Sequence, residues 1–510
     1  ISMRGHEDAA VFIDSSSASH RFVLVSQVEE GLDQQPESIQ AILLQTALLD
    51  RLSGPLCDAV CFGKTASSSE RTANNGQEIL ETLEHANLFI VPLDDERCWY
   101  RYHHLFADLL RRRLLQTQPD RLPILHRRAS EWYDQEGFIN EAIEHALAGQ
   151  HFERAAFLIE RQYGDHYESG DQVLIRQWLA ALPEELVVSR PHLSLLRAWN
   201  LFNSGQLEAA ERDLLIAEKI LDPGTDQASV SARDKDQLSG TGRKILLGRS
   251  ATIRSFIASY SGDLPQIIRL ARQALDYLPQ QELEWRSAAL LALGEAYANM
   301  GQMVAAEKAR SEALVTGKAS GHIYYVTIVN SNLAENLRIQ GRLQQVLDIC
   351  ERQLQIADEH GISESAVVGW LSGIWGEALA EINDLDRASV QAKKGARLTA
   401  HGLDVFYELL SNLCLVRVLF SSGDIAGAEE VIQSMENIAR EYDVPAYALS
   451  RLSAWQARLL LVQGKLEAAS QWVEEHDLDP AAEPAYLHEM EHMVFVRILI
   501  AQGRLDEAAM

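Results

Sequence analysis

Positive charge is scarce in this sequence: 46 Lys and Arg stand against 73 Asp and Glu, a net charge of −27 over 510 residues. A surface of that sign repels phosphate backbones, so the chain by itself is not expected to hold nucleic acid tightly. The one basic run, Arg111-Arg112-Arg113, falls near the end of an apolar helix, where cations complement the helix dipole. Cysteine is sparse too. Cys57, Cys61, Cys98, Cys350 and Cys414 are odd in number and scattered, which argues against a disulfide framework. Cys57-x3-Cys61 has no following Cys or His pair at zinc spacing and reads as one face of a short helix. No apolar run approaches the ~18 residues that cross a bilayer. The polar start carries no export signal, and with reduced thiols this points to the cytoplasm and away from membranes. The sequence begins at Ile1 and stops at Met510 inside a repeat, so it reads as a piece of a longer chain.

What is present is a repeat. A turn residue, an apolar residue two on and usually Ala five on recur as Gly262-Asp-Leu264, Gly301-Gln-Met303 with Ala306, and Gly341-Arg-Leu343 with Val346. The series continues with Asn383-Asp-Leu385 and Ala388, Gly423-Asp-Ile425 and Ala428, Gly464-Lys-Leu466 and Ala469, and Gly503-Arg-Leu505 and Ala508. The steps between turn residues are 39, 40, 42, 40, 41 and 39, and Gly205-Gln-Leu207 with Ala210 is an earlier, less regular copy. Gly or Asn accepts the left-handed backbone that ends a helix. The following Ala lets a second helix come close. Seven residues before most turns stands a small or medium residue: Gly294, Ala334, Gly376, Val416, Ala457 and Val496. Leu293-Gly294-x2-Tyr297 matches the tetratricopeptide element, but the period is longer than the ~34 residues of that repeat. The fold class expected is mainly α, with a right-handed stack of paired helices presenting a binding face. Asp222–Gly242, rich in Asp, Gln, Ser and Gly, reads as a mobile loop over 222–242.

Before residue 120 the pattern changes. A helix opens at Pro36, a short helix spans Leu56–Cys61, and another spans Glu78–Ala86. Strands Leu88–Val91 and Cys98–Tyr102 flank the turn Asp94-Asp95-Glu96. A last helix, His104–Leu115, carries Phe106, Leu110 and Leu114 on one stripe. Helices, a hairpin and a closing helix make a winged-helix pattern.

Three segments resemble a known family, the large ATP-dependent LuxR-type (MalT-like) transcriptional regulators. They are His20–Val60 with LLDRLSGPLCDAV, Leu83–Leu114 with LEHANLFIVPLDDERCWYRYHHLFADLLRRRL, and Leu125–Leu147 with LHRRASEWYDQEGFINEAIEHAL. The resemblance runs more loosely through the repeats. It implies a remnant of an ATPase-associated helical region over 1–35, a winged-helix domain over 36–120 and a TPR-like sensor domain over 121–510. In such regulators an N-terminal signal-transduction ATPase precedes these parts and a C-terminal helix-turn-helix follows. The resemblance implies a small-molecule inducer or regulatory protein as partner, self-association in the parent, and DNA contact only through the C-terminal domain. ATP or ADP with Mg would belong to the parent's ATPase module; no cofactor is expected in this chain. Here Gly63-Lys64-Thr65 is the only near miss to a phosphate loop, and Asp58 stands where its first glycine belongs. A helical-repeat adaptor unrelated to transcription is the alternative reading.

No catalytic residue is expected. In related ATPase switches a winged-helix histidine in Met-His-Asp-Leu contacts the nucleotide phosphate. Tyr102-His103-His104-Leu105 lies at the corresponding point, which makes His103 the candidate; the alternative is that it caps or packs its helix. Aromatics recur through the repeats, and Tyr297, Tyr324, Tyr325, Trp370, Trp375 and Tyr407 are the candidates for a ligand groove, against a plain inter-helix core. His488-Glu489-Met490-Glu491-His492 matches the zinc motif H-E-x-x-H, but Phe495 and Ile498 stand where the extended motif places Gly and a third His. No metal is therefore expected there. Histidines such as His85 and His145 suggest no constellation.

Overall fold

Left-handed backbone recurs where the repeat demands it: φ is +68° at Gly205, +71° at Gly262, +72° at Gly301, +71° at Gly341, +64° at Asn383, +79° at Gly423, +74° at Gly464 and +77° at Gly503. Each value ends a helix. At the Gly423 turn, for example, the amide of Asp424 donates to the carbonyl of Leu419 at 2.9 Å, satisfying one of the helix's last acceptors. The computed structural model describes residues 32, 34–63, 76–86, 90–163, 172–222, 240–400, 405–476, 478–479 and 488–509. Nearly all of the expected 1–35 remnant, residues 64–65 of the phosphate-loop near miss, residues 88–89 of the first strand and residues 223–239 of the expected loop lie outside these.

The chain forms two compact units, residues 1–162 with 181–183, and residues 163–180 with 184–510. In the first unit, helices α1 (Glu37–Thr46), α2 (Gly54–Phe62) and α3 (Gly76–His85) precede strands β1 (Ile90–Pro92) and β2 (Tyr100–Tyr102). The strands pair antiparallel with Ile90 opposite Tyr102, and Leu52 bridges to Tyr100. Asp94 closes the hairpin by accepting from the amides of Cys98 at 2.7 Å and Trp99 at 3.0 Å. Helix α4 (His104–Thr117) buries Phe106, Leu110 and Leu114. Arg111 on this helix is not merely a dipole cation: it donates to the carbonyl of Ala47 at 2.9 Å and pairs with Asp50 at 2.6 Å, fastening α4 to the end of α1. Helices α5 (Leu122–Gln135), α6 (Ile139–Ala148) and α7 (Phe152–Tyr163) complete the unit. Arg128 on α5 donates to the carbonyls of Val60 and Cys61, both at 2.9 Å, and so caps α2.

In the second unit α8 (Gln172–Ala181) and α9 (Glu184–Ser189) lead into helix pairs. First helices are α10 (Pro191–Asn203), α12 (Thr241–Ser261), α14 (Leu283–Asn299), α16 (Ile323–Ile339), α18 (Ala366–Glu381), α20 (Val405–Ser421), α22 (Ala446–Val462) and α24 (Glu489–Ala501). Their second helices are α11 (Leu207–Leu221), α13 (Leu264–Tyr277), α15 (Met303–Ser320), α17 (Leu343–Glu359), α19 (Leu385–Thr399), α21 (Ile425–Glu441), α23 (Leu466–Glu475) and α25 (Leu505–Ala508). First helices are buried more widely, most of all α18, where the consecutive residues Val367 to Ile374 are all buried. Second helices bury a single stripe, such as Ile267, Leu270, Ala271 and Ala274 on α13. A helix buried on every side is sandwiched, and one with a stripe has its other face in water. First helices therefore form an inner layer and second helices an outer one.

The small residues allow the close approach. A side chain at Gly376 would meet the Ala388 carbonyl and the Ala392 amide, each at 3.0 Å. Ala306, Val346, Ala388, Ala428 and Ala469 are fully buried, as are Ala334, Val416 and Ala457. Val496 departs from the series at 37% exposure; its partner α25 is only four residues long.

Candidate ligand groove

The first helices converge on an aromatic groove within the second unit. Helix α10 contributes Trp199, Phe202 and Asn203; α12 contributes Phe256, Ser259 and Tyr260. From α14 come Ala288, Leu291 and Glu295, and from α16 Tyr324, Tyr325, Ile328 and Asn332. Trp370 of α18 and Phe406 and Tyr407 of α20 close it. Every one of these residues sits on a first helix. The rings brace one another: Trp370 stacks on Tyr407 with centroids 5.4 Å apart, Trp199 on Phe202 at 5.3 Å, and Phe202 meets Tyr260 edge-on at 5.6 Å. They leave a cavity of about 90 Å³.

Among the expected groove residues, Tyr324, Tyr325, Trp370 and Tyr407 line this cavity, while Tyr297 and Trp375 do not. The reason is helix rotation. Tyr297 lies two residues past Glu295, roughly 200° around α14, and its hydroxyl instead accepts from Arg272 at 2.8 Å. Trp375 lies five residues past Trp370 and faces the Arg387 guanidinium, 5.9 Å from its ring centroid. Sequence reading did not select Trp199, Phe202, Phe256, Tyr260 or Phe406; only their spacing of three and four on α10 and α12 could have flagged them.

Beside the groove runs a chain of charges. Arg338 on α16 pairs with Glu335 at 2.9 Å, with Glu377 of α18 at 3.0 Å and with Glu381 at 3.0 Å. Arg417 of α20 joins Glu381 at 2.7 Å, and Arg451 of α22 reaches Glu335 at 3.7 Å. Burial works against the charge on Glu335, but the Arg338 guanidinium outweighs it and holds the carboxyl well below the usual range. Glu295, inside the groove, shows the opposite balance: burial raises it, with Arg310 and Arg451 pulling down less strongly.

A second cleft, of about 500 Å³, lies between α21, α22 and the segments around His476 and His488. There Ser453 accepts from the Trp472 indole at 2.7 Å and contacts His476 Nε2 at 2.8 Å. His488 stands at the N-cap of α24, and its Nδ1 lies 2.5 Å from Glu491. Among the described residues no three His, Cys, Asp or Glu side chains are grouped to hold a metal ion.

In the first unit His103 is the N-cap residue of α4, makes no side-chain cap bond, and its ring lies tilted at 36° to that of His104 with centroids 4.3 Å apart. Cys57 is buried and Cys61 half-buried; burial, reinforced by Asp58, pushes the Cys61 thiol up to about 12, so it stays protonated at neutral pH. The fold also makes a pair not expected from sequence: His126 and His145 bring their Nδ1 atoms to 2.9 Å. Burial, with His151 opposing charge on His126 and His126 opposing charge on His145, lowers His126 to about 4 and His145 to about 3. Both rings are neutral at pH 7, one donating and one accepting.

No helix among the described residues is long and apolar enough to cross a membrane. Comparison with known proteins matches residues 28–122 to the MalT winged helix domain and residues 248–510 to the MalT-like TPR region. The HTH-type transcriptional regulator MalT of Yersinia pestis (strain Pestoides F) is 26% identical over 486 residues, covering 94% of this chain and 50% of the relative. The MalT of Yersinia enterocolitica serotype O:8 matches to the same extent. The chain thus spans about half the length of these curated relatives. A Pyrococcus horikoshii signal transduction ATPase with a tetratricopeptide repeat sensor is structurally similar at TM-score 0.49 and 13% identity, over 97% of this chain and 67% of that one. By its winged helix and its paired-helix repeats, the chain belongs to the MalT-like family of LuxR-type transcriptional regulators.

Proposed function

We propose that this chain is the sensing and self-association segment of an ATP-dependent LuxR-type regulator, without catalysis of its own, and that it holds a small-molecule inducer in the groove of its second unit. The carrying observation is that residues from six successive first helices, α10 to α20, converge on one aromatic cavity. The cavity lining comes from the inner layer alone, while its rings also pack into cores shared with second-helix residues such as Leu214 and Val346. Binding there would bear on six repeats at once, and a ligand that prefers one curvature of the stack shifts the equilibrium toward it.

The test is a titration of the intact chain with fractionated metabolites, followed by tryptophan fluorescence, since Trp199 and Trp370 line the groove. A saturable change that Trp370→Ala weakens by about tenfold or more supports the reading. Binding unaffected by Trp370→Ala and by Tyr407→Ala places the ligand elsewhere and removes it.

In the longer regulator His103 would face a nucleotide phosphate at the start of α4 and help hold the resting state, with ATP or ADP and Mg bound by the ATPase module. Its place as the N-cap residue of α4, directly after the second strand, supports this role. His103→Ala in the full-length regulator is expected to raise transcription in the absence of inducer; unchanged basal transcription would remove the assignment.

A further inference from the structure

We infer that the groove selects a small organic cation: an ammonium group carried on a compact apolar body. This rests on the groove being the ligand site.

Three observations converge. The first is the kind of wall. The rings of Trp370, Tyr407, Tyr324 and Trp199 line the cavity, and an aromatic ring attracts a cation through the negative side of its quadrupole. The second is the charge inventory. Among the described lining residues Glu295 alone is ionisable by a carboxyl, and no Lys, Arg or His lines the cavity. A phosphate or carboxylate ligand would meet aromatic rings and an acid with no lining cation to receive it. Arg310 and Arg451, neither of them a lining residue, act on Glu295 but do not overcome its burial, so the carboxyl carries a desolvation cost that a ligand cation would offset. The third is size. A cavity of about 90 Å³, at ~10–15 Å³ for each water-sized position, admits roughly six to nine non-hydrogen atoms. An oligosaccharide or nucleotide would require the stacked rings to separate.

Neutral hydrogen-bonding groups complete the arrangement. Ser259 and Asn332 border the same cavity as acceptors, since the Ser259 hydroxyl donates to the Phe256 carbonyl at 2.6 Å and the Asn332 amide to that of Ile328 at 3.0 Å. The site therefore resembles in chemistry the ring-and-carboxylate boxes that bind quaternary ammonium groups.

The experiment uses the intact chain and two probes of equal shape: choline, and its uncharged analogue in which carbon replaces nitrogen. Each is titrated by calorimetry and by tryptophan fluorescence. Choline is expected to bind at least about tenfold more tightly than the carbon analogue, the gap worth one close charge and ring interaction. Glu295→Gln should shrink that gap while leaving the carbon analogue's affinity unchanged, and thermal melting of the variant checks that it folds. Tyr407→Leu, which keeps bulk and removes the ring, should weaken choline more than the analogue. Equal binding of both probes, or a gap that survives Glu295→Gln and Tyr407→Leu, overturns the cation inference and leaves the groove standing as a site for neutral ligands. If neither probe binds but a neutral metabolite does, sensitive to Trp370→Ala, the cation inference also fails and the groove reading is kept. If no ligand shows sensitivity to Trp370→Ala, both fail.

Discussion

The amide of Asp443 donates to the carbonyl of Gly205 at 3.3 Å, joining the turn of the α10–α11 pair to the loop between α21 and α22. A second bond accompanies it, from the amide of Leu207 to the Asp443 carboxylate at 3.4 Å. Helices α12 and α22 also pack together. The stack of pairs in the second unit thus returns on itself, and the groove lies among the first helices that this contact draws together.

A side chain at Gly205 would meet Tyr442 Cβ at 3.1 Å and the Asp443 carbonyl at 3.2 Å, in a backbone already at φ +68°. Gly423 has the same left-handed backbone with nothing within 4 Å of an added Cβ. Gly423→Ala should cost about 1–2 kcal/mol from backbone strain alone. Gly205→Ala should cost more, and the difference reports the cross-stack contact. Urea denaturation of both variants measures it; equal losses would mean that the contact contributes nothing.

Arg338 is the hub of three carboxylates, and its side chain is only 9% exposed. Arg338→Met would leave Glu377 buried without its cation and Glu335 with only the more distant Arg451, at a cost of about 3–5 kcal/mol. Arg338→Lys should recover little, because a point charge cannot serve three acceptors in the geometry of a fork. Thermal unfolding of both variants checks this; full rescue by lysine would contradict it.

The histidine pair makes the first unit acid-sensitive. His126 and His145 are neutral in the folded chain down to about 4 and about 3, whereas unfolded histidines take protons near 6.5. Below that value the unfolded chain binds more protons, so stability falls as pH drops from about 6.5 toward about 3, and is flat above it. His145→Gln should flatten the profile between pH 6 and 4 by up to ~1.4 kcal/mol per pH unit. The melting temperature of the first unit followed against pH shows whether the slope changes; an unaltered slope would assign it to other groups.

Much of the second unit was legible because its signals are local. A left-handed turn residue, an apolar residue two on and a small residue five on are all fixed within one connection, and even Asn383 kept the rule at φ +64°. The winged helix was legible for the same reason: Phe106, Leu110 and Leu114 form a stripe that any burial of α4 must use. The groove was only half legible. Which face of a first helix turns inward depends on how neighbouring pairs rotate, so Trp370 and Trp375, five residues apart on one helix, part company. The histidine pair was not legible at all, since His126 and His145 sit on separate helices and meet only when α5 and α6 fold back together.

Hydrogen exchange of the intact chain, with and without the low-molecular-mass fraction of a bacterial extract, tests the sensor account most directly. Slower exchange confined to the inner layer, in 323–339, 366–381 and 405–421, is the expected result. Slower exchange in the outer helices 343–359 and 385–399 with the inner ones unchanged, or no change anywhere, would contradict it.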